Sequence, residues 1–146
     1  MLSNSCRYGI RAVIYLASQP ESTGKTGIKK ISSDLDLPTP FLAKILQQLV
    51  KHKILSSTKG PHGGFSILKD PQKITLYEII KNIDGEEIFT NCIMHNGPCI
   101  TVDNTKKPCP LHDDYSKART DRINLFRGKT IYDLVKIVDK ADLFTI

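Results

Sequence analysis

The sequence predicts a mainly α-helical fold with a small β-hairpin wing: a winged helix-turn-helix followed by a C-terminal dimerisation helix. Three observations carry this expectation. Two short amphipathic patterns, broken by Asp36-Leu37-Pro38, lie between residues 28 and 51. Two strand-like segments follow directly, flanking the turn Gly60-Pro61-His62-Gly63-Gly64. A long helix-periodic stretch then begins at Leu111, beyond a loop rich in cysteine.

The first helix is expected over residues 4–18, with Ser5 as N-cap and Gln19-Pro20 as the stop. Tyr8, Ala12 and Leu16 form one i, i+4 row and Val13 and Ala17 another, so most of this helix should be buried. Cys6, near its start, reads as a small core residue. Residues 20–27 read as loop. The Gly24-Lys25-Thr26 there is no phosphate loop, because the leading glycine is missing and no strand precedes it. Ile28, Ile31 and Leu35 make the apolar row of the next helix. Thr39 and Pro40 then place an N-cap and a first-turn proline ahead of Leu42, Ile45, Leu46, Leu49 and Val50. Its opposite face carries Ala43, Lys44, Gln47, Gln48 and Lys51. Amide and basic side chains on an exposed helix suit a DNA major groove, since Gln pairs with base edges and Lys with phosphates.

Residues 54–59 and 65–68 should pair as the wing. Lys59, Pro61, His62 and Gly63 are its candidates for the DNA backbone or minor groove. Together with Thr39, Pro40, Phe41, Ala43, Lys44, Gln47 and Gln48 they make the expected DNA-binding set. After Asp70-Pro71, Thr75 and Glu78 have the spacing of a capping box. Leu76, Ile79, Ile80 and Ile83 form the buried stripe behind it, and Gly85 suits the end. The late helix shows Leu111, Tyr115, Ala118, Arg122 and Leu125 along one face, widened by Ile123 and Phe126. Gly128 ends it, and Thr130 to Asp133 opens a last helix bearing Leu134, Ile137 and Val138. A long amphipathic helix set apart from the core suits a two-fold interface, which palindromic DNA also requires. The expected divisions are therefore 1–85 for DNA binding, 86–111 for the Cys loop and 112–146 for dimerisation.

Charge supports a split of labour. Residues 1–82 hold 12 Lys and Arg against 5 Asp and Glu, whereas 83–146 hold 9 against 10. A basic first part is the footprint of a polyanion-binding module. No run approaches the ~20 apolar residues of a membrane span, and the N-terminus lacks a signal-peptide pattern. A cytoplasmic location with reduced thiols is the expectation, where grouped cysteines bind metal or do redox chemistry.

Those cysteines are Cys92, Cys99 and Cys109, with His112 three positions after the last. The loop is rich in Gly, Pro, Asn, Asp and Thr and shows no periodicity, and a bound metal centre would order it. Thiolates suit iron–sulfur clusters and zinc alike, although the Cys-x(2–4)-Cys knuckle usual for zinc is absent. His95 is a second candidate for the fourth ligand, with Met94 and Cys6 weaker ones. A redox enzyme finds no support: there is no Cys-x-x-Cys, no Cys-His-Asp pattern and no nucleotide loop.

Taken together, Arg7-Tyr8, the segment from Pro38 to Lys44, the wing Lys59-Gly60-Pro61-His62-Gly63-Gly64-Phe65 and the Cys…Cys…Cys-x-x-His order resemble the Rrf2 family of bacterial regulators. The resemblance covers nearly the whole chain and is nearest to its iron–sulfur cluster regulator branch, the IscR type. It implies a homodimeric winged-helix transcription factor on promoter DNA. It also implies a [2Fe-2S] cluster held by Cys92, Cys99, Cys109 and His112, with DNA binding that depends on cluster state. A neutral imidazole in place of a thiolate raises a cluster's potential and is protonatable, which suits a sensor. The Cys spacings are longer than that branch's usual ones, and loop closure grows only slowly costlier with length. Neutral Ala43 stands where that branch has an acidic residue, leaving the preferred DNA sequence open. The nitric-oxide-sensing NsrR branch, with [4Fe-4S], takes an acidic ligand near position 7 in some members, and Arg7 cannot serve so.

Overall fold

The structure is a computed structural model that describes residues 1–94, 97–98 and 109–138. Seven α-helices and a two-stranded antiparallel sheet are found among them. Helix α1 (Asn4–Ala17) buries Cys6, Gly9, Ala12, Val13, Ile14, Tyr15 and Leu16. Its cap is Ser3 rather than Ser5: the Ser3 hydroxyl accepts from the Cys6 amide at 3.0 Å. Asp84 in turn binds the Ser3 amide at 2.9 Å and the Ser3 hydroxyl, which favours the earlier start.

Helices α2 (Ile28–Leu35) and α3 (Thr39–Lys51) form the helix-turn-helix. Asp36 closes α2 in the left-handed conformation at φ 51°. Thr39 is not the cap of α3, a place Pro38 takes without a side-chain bond. The Thr39 hydroxyl instead meets that of Ser32 at 2.7 Å, so it stitches the two helices across their turn. Ile31, Leu35, Leu42, Leu46 and Leu49 are fully buried against α1. At ~1.5–3 kcal/mol for each such side chain, this shared core outweighs any single polar contact.

Strands β1 (Leu55–Thr58) and β2 (Gly64–Ile67) pair with Leu55 opposite Ile67 and Thr58 opposite Gly64. Beyond the predicted hairpin, Thr26 bridges to Phe65 through two backbone bonds of 2.8 and 2.9 Å. Gly64 allows this approach: its φ is +148°, and a Cβ there would run into the Thr26 backbone.

Helix α4 (Leu76–Asp84) is capped by Thr75, but Glu78 does not reach back to complete the box. Its carboxylate takes both oxygens to Lys69, at 2.7 and 2.8 Å. A short helix α5 (Glu87–Thr90) occupies part of the expected loop, with Phe89 buried. Ring stacking of Phe89 on Tyr77 at 4.4 Å holds it there, a long-range contact without local signal.

Helix α6 (His112–Gly128) packs one side against the rest of the chain and leaves much of the apolar row expected for a two-fold interface outside. Arg119, Ile123 and Phe126 look toward α4 and α5, while Leu111, Ala118 and Leu125 are exposed. Helix α7 (Ile131–Ile137) carries a complete capping box of Thr130 and Asp133 and folds back on the N-terminal core. Ile131 is fully buried there, and its amide bonds the Ile74 carbonyl at 2.8 Å.

Candidate nucleic-acid interface and metal centre

One face of the winged helix is a groove of ≈ 700 Å³ between the start of α2, the outer face of α3 and the wing. Ala43 and Gln47 line it from α3, and Lys59, Pro61 and Gly63 from the wing. The structure thus brings together five of the residues proposed for DNA. Lys44 and His62 are exposed beside it. Thr39 is spent on Ser32, as described above. Phe41 and Gln48 turn away, because they sit well over a quarter-turn around α3 from Ala43 at 100° per residue. Phe41 packs edge-on to Tyr8 with ring centroids 5.8 Å apart, and the Gln48 amide donates to the Asn82 carbonyl of α4.

The groove also contains residues that the sequence reading missed: Gly27, Ile28 and Lys29 at the start of α2. Lys25, just before them, bonds Ser56 at 3.1 Å and Thr58 on the wing. A glycine immediately ahead of an amphipathic helix was the available signal. The pairing of Thr26 with Phe65 that carries it to the wing is non-local.

The orientation of α2 is set by α1. The Tyr15 hydroxyl donates to Asp34 at 2.6 Å, and Lys30 joins it at 2.9 Å. The Tyr15 bond first, then Lys30, holds the Asp34 carboxyl below its usual range. Arg11 donates to the Leu35 carbonyl at 3.1 Å, at the end of the same helix.

A second site lies at the opposite end of the chain's organisation. Cys92 follows α5, and Cys109 precedes α6 by three residues. Their Sγ atoms are 3.7 Å apart. That is far beyond the ~2.05 Å of a disulfide. Two metal–sulfur bonds of ~2.3 Å at a tetrahedral angle separate their sulfurs by ~3.8 Å, so the pair fits two ligands of one tetrahedral ion. The Met94 amide points at the Cys92 sulfur at 3.4 Å, the kind of contact that stabilises a thiolate. The His112 amide bonds the Cys109 carbonyl at 2.9 Å, so Cys109 and His112 share one turn at the head of α6. Cys99 and the alternative ligand His95 lie outside the described residues.

The Cys92–Cys109 pair suits iron–sulfur or zinc chemistry; among the described residues no group of three or more His, Cys, Asp or Glu is placed to hold a metal ion. Cys6 takes no part. It is fully buried with Ile80 and Phe89, and burial first, then Asp84, pushes its thiol up to about 12. A thiol held protonated is neither ligand nor nucleophile at neutral pH.

Comparison with known proteins extends this geometry. The family model described as "Rrf2: Iron-dependent Transcriptional regulator" matches residues 2–137. An HTH-type transcriptional regulator of Aquifex aeolicus is 33% identical over 140 residues, covering 96% of this chain and 94% of the relative. The regulator NsrR of Halalkalibacterium halodurans is 24% identical, covering 95% and 92%. Among solved structures, CymR, the global cysteine regulator of B. subtilis, superposes with a TM-score of 0.79 at 22% identity, covering 95% of this chain and 98% of its own. IscR of T. potens gives 0.71 at 20% identity, with 97% and 90% covered. These relatives are transcriptional regulators rather than enzymes. No helix among the described residues is long and apolar enough to cross a membrane. The chain belongs to the Rrf2 family of DNA-binding transcriptional regulators.

Proposed function

We propose that this regulator couples promoter binding to an iron–sulfur cluster, [2Fe-2S], held by Cys92, Cys99, Cys109 and His112. The spacing of 3.7 Å between Cys92 and Cys109 is the observation that carries the reading. It brings together two sulfurs 17 positions apart in sequence, between α5 and α6. The cluster would supply redox sensitivity. The protein's own part is to hold four donors and to pass their state to the DNA face through α4, which Gly85 and Glu86 join to α5.

Binding to DNA uses the groove: Ala43 and Gln47 at base edges, with Lys44, Lys59 and the wing glycines along phosphates. The working form is a homodimer, built on the outward row Leu111, Ala118 and Leu125 of α6. Leu111 and Leu125 are 43% and 55% exposed and stand two turns to either side of Ala118 or nearly so, as a packed helix seam requires. Such a protein acts in the cytoplasm, where the promoters are.

Anaerobic purification with visible spectroscopy and iron and sulfide analysis tests the reading. Two irons and two sulfides per chain are expected, with different DNA affinity in the loaded and metal-free forms. Zinc without colour would replace the cluster with a structural ion, which the sulfur spacing accommodates equally well. Four irons would move the chain toward the [4Fe-4S] type.

A further inference from the structure

Arg119 is only 8% exposed, an unusual burial for a cation without a counter-ion. One of its terminal nitrogens donates to the Thr90 carbonyl at 3.1 Å. Its Nε and remaining terminal nitrogen face neither solvent nor, among the described residues, any acceptor. One turn on, Arg122 donates to the Ile88 carbonyl at 2.9 Å, and its Nε is likewise buried without an acceptor. Among the described residues no carboxylate lies within 4.0 Å of either guanidinium.

Both arginines thus grip α5, through carbonyls two and four residues ahead of Cys92. Arg122 also lines a cavity of ≈ 230 Å³ together with Cys92 and Tyr115. Arg119 lies over the Tyr115 ring at 5.1 Å. His112, Tyr115, Arg119 and Arg122 follow one another at steps of three, four and three along one side of α6. The candidate ligand, the aromatic ring and both cations therefore share the side that meets α5.

We propose that Arg119 and Arg122 are positioning residues: a cationic clamp that fastens α5 to α6 and balances the anionic metal–thiolate centre at Cys92. A buried charge and a half-buried one, neither with a carboxylate among the described residues, are stabilised by a nearby negative charge. Three thiolates outweigh the charge of a di-iron, di-sulfide core, so the loaded centre is anionic and becomes more so on reduction. The clamp rests on the cluster reading for its electrostatic half only. Its mechanical half stands on the two carbonyl bonds.

The test uses the full chain with Arg119→Met, Arg119→Lys and Arg122→Met, and Cys92→Ala as a control. In the metal-free protein, amide exchange at Phe89 and Asn91 reads the mechanical half. Both amides bond within α5, to Glu86 at 3.0 Å and Glu87 at 2.9 Å. Exchange on the order of tenfold faster in Arg119→Met is expected, with unchanged exchange overturning the clamp. In the anaerobically reconstituted protein, the midpoint potential reads the electrostatic half. It should become more negative in Arg119→Met and return toward wild type in Arg119→Lys. An unmoved potential overturns the counter-charge. Should Arg119→Met not fold, the half-buried Arg122→Met carries both readouts. A visible band retained in Cys92→Ala would sink the cluster assignment alone, leaving the exchange result to decide the clamp.

Discussion

The winged-helix body and the α5–α6 region are held together by different physics. In the body, α1, α2, α3 and α7 share one apolar core that includes Ile31, Leu42, Leu46, Leu49 and Ile131. Around the Cys site the buried cluster shrinks to Cys6, Ile80 and Phe89. There the junction relies on arginine bonds to carbonyls and on ring contacts, Tyr77 stacked on Phe89 and Phe89 edge-on to Phe126. Apolar burial is non-directional and tolerant of detail, so it makes a stable DNA-reading platform. Directional polar ties have distinct made and broken states, which is what the proposed sensing role needs. The two regions therefore differ in packing as they do in charge.

The sharpest way to break this comparison is to cut the core. Leu46→Ala should cost ~2–5 kcal/mol, the range for emptying a fully buried leucine site. Chemical denaturation should show it, and DNA binding should fall with the folded fraction. A cost below 1 kcal/mol would mean that the body is not held by its core.

A smaller effect is expected at the polar tie between α1 and α2. Tyr15→Phe removes the bond to Asp34 and should cost ~1 kcal/mol at neutral pH. Because the fold lowers the Asp34 pKa, its stabilisation is fully present above the unfolded carboxylate value of ~3.9 and fades as pH falls through the lower folded one. The gap between wild type and Tyr15→Phe should therefore narrow below about pH 4. A gap independent of pH would assign the loss to packing instead.

The smallest change should come from Cys92→Ala in metal-free protein. Cys92 belongs to neither apolar cluster, so the melting of the body should shift by less than ~0.5 kcal/mol. A large loss there would join the two regions into one cooperative unit and undo the contrast.

Much of the body was legible because its information is local. The i, i+3, i+4 row from Leu42 to Val50 placed α3, and five glycine- and proline-rich turn residues placed the wing. Errors gathered where a side chain had a distant partner in competition with a local one. Glu78 prefers Lys69 to its own cap, Gln48 prefers the Asn82 carbonyl to solvent, and Thr39 bonds Ser32 across the turn. The clearest shift is in α6. Spacing marked Leu111, Ala118 and Leu125 as a face for a two-fold partner, and the structure leaves those three exposed while it buries Arg119, which spacing alone does not single out. An arginine is read as surface until a carbonyl brought in by a distant segment, here that of Thr90, is seen beside it.

The amino-acid sequence by itself determined every helix but the short α5, the wing, the basic first half and the kinds of donor in the Cys loop. Periodicity, turn chemistry and side-chain type are properties of neighbours along the chain. Only the tertiary structure decided that Cys92 and Cys109 meet, that Thr26 pairs with the wing, that α7 returns to the core and which side of α6 faces α5. Each of these joins residues far apart in sequence. Which of them forms depends on the summed burial and hydrogen bonding of the whole fold, and no short stretch of sequence encodes that sum.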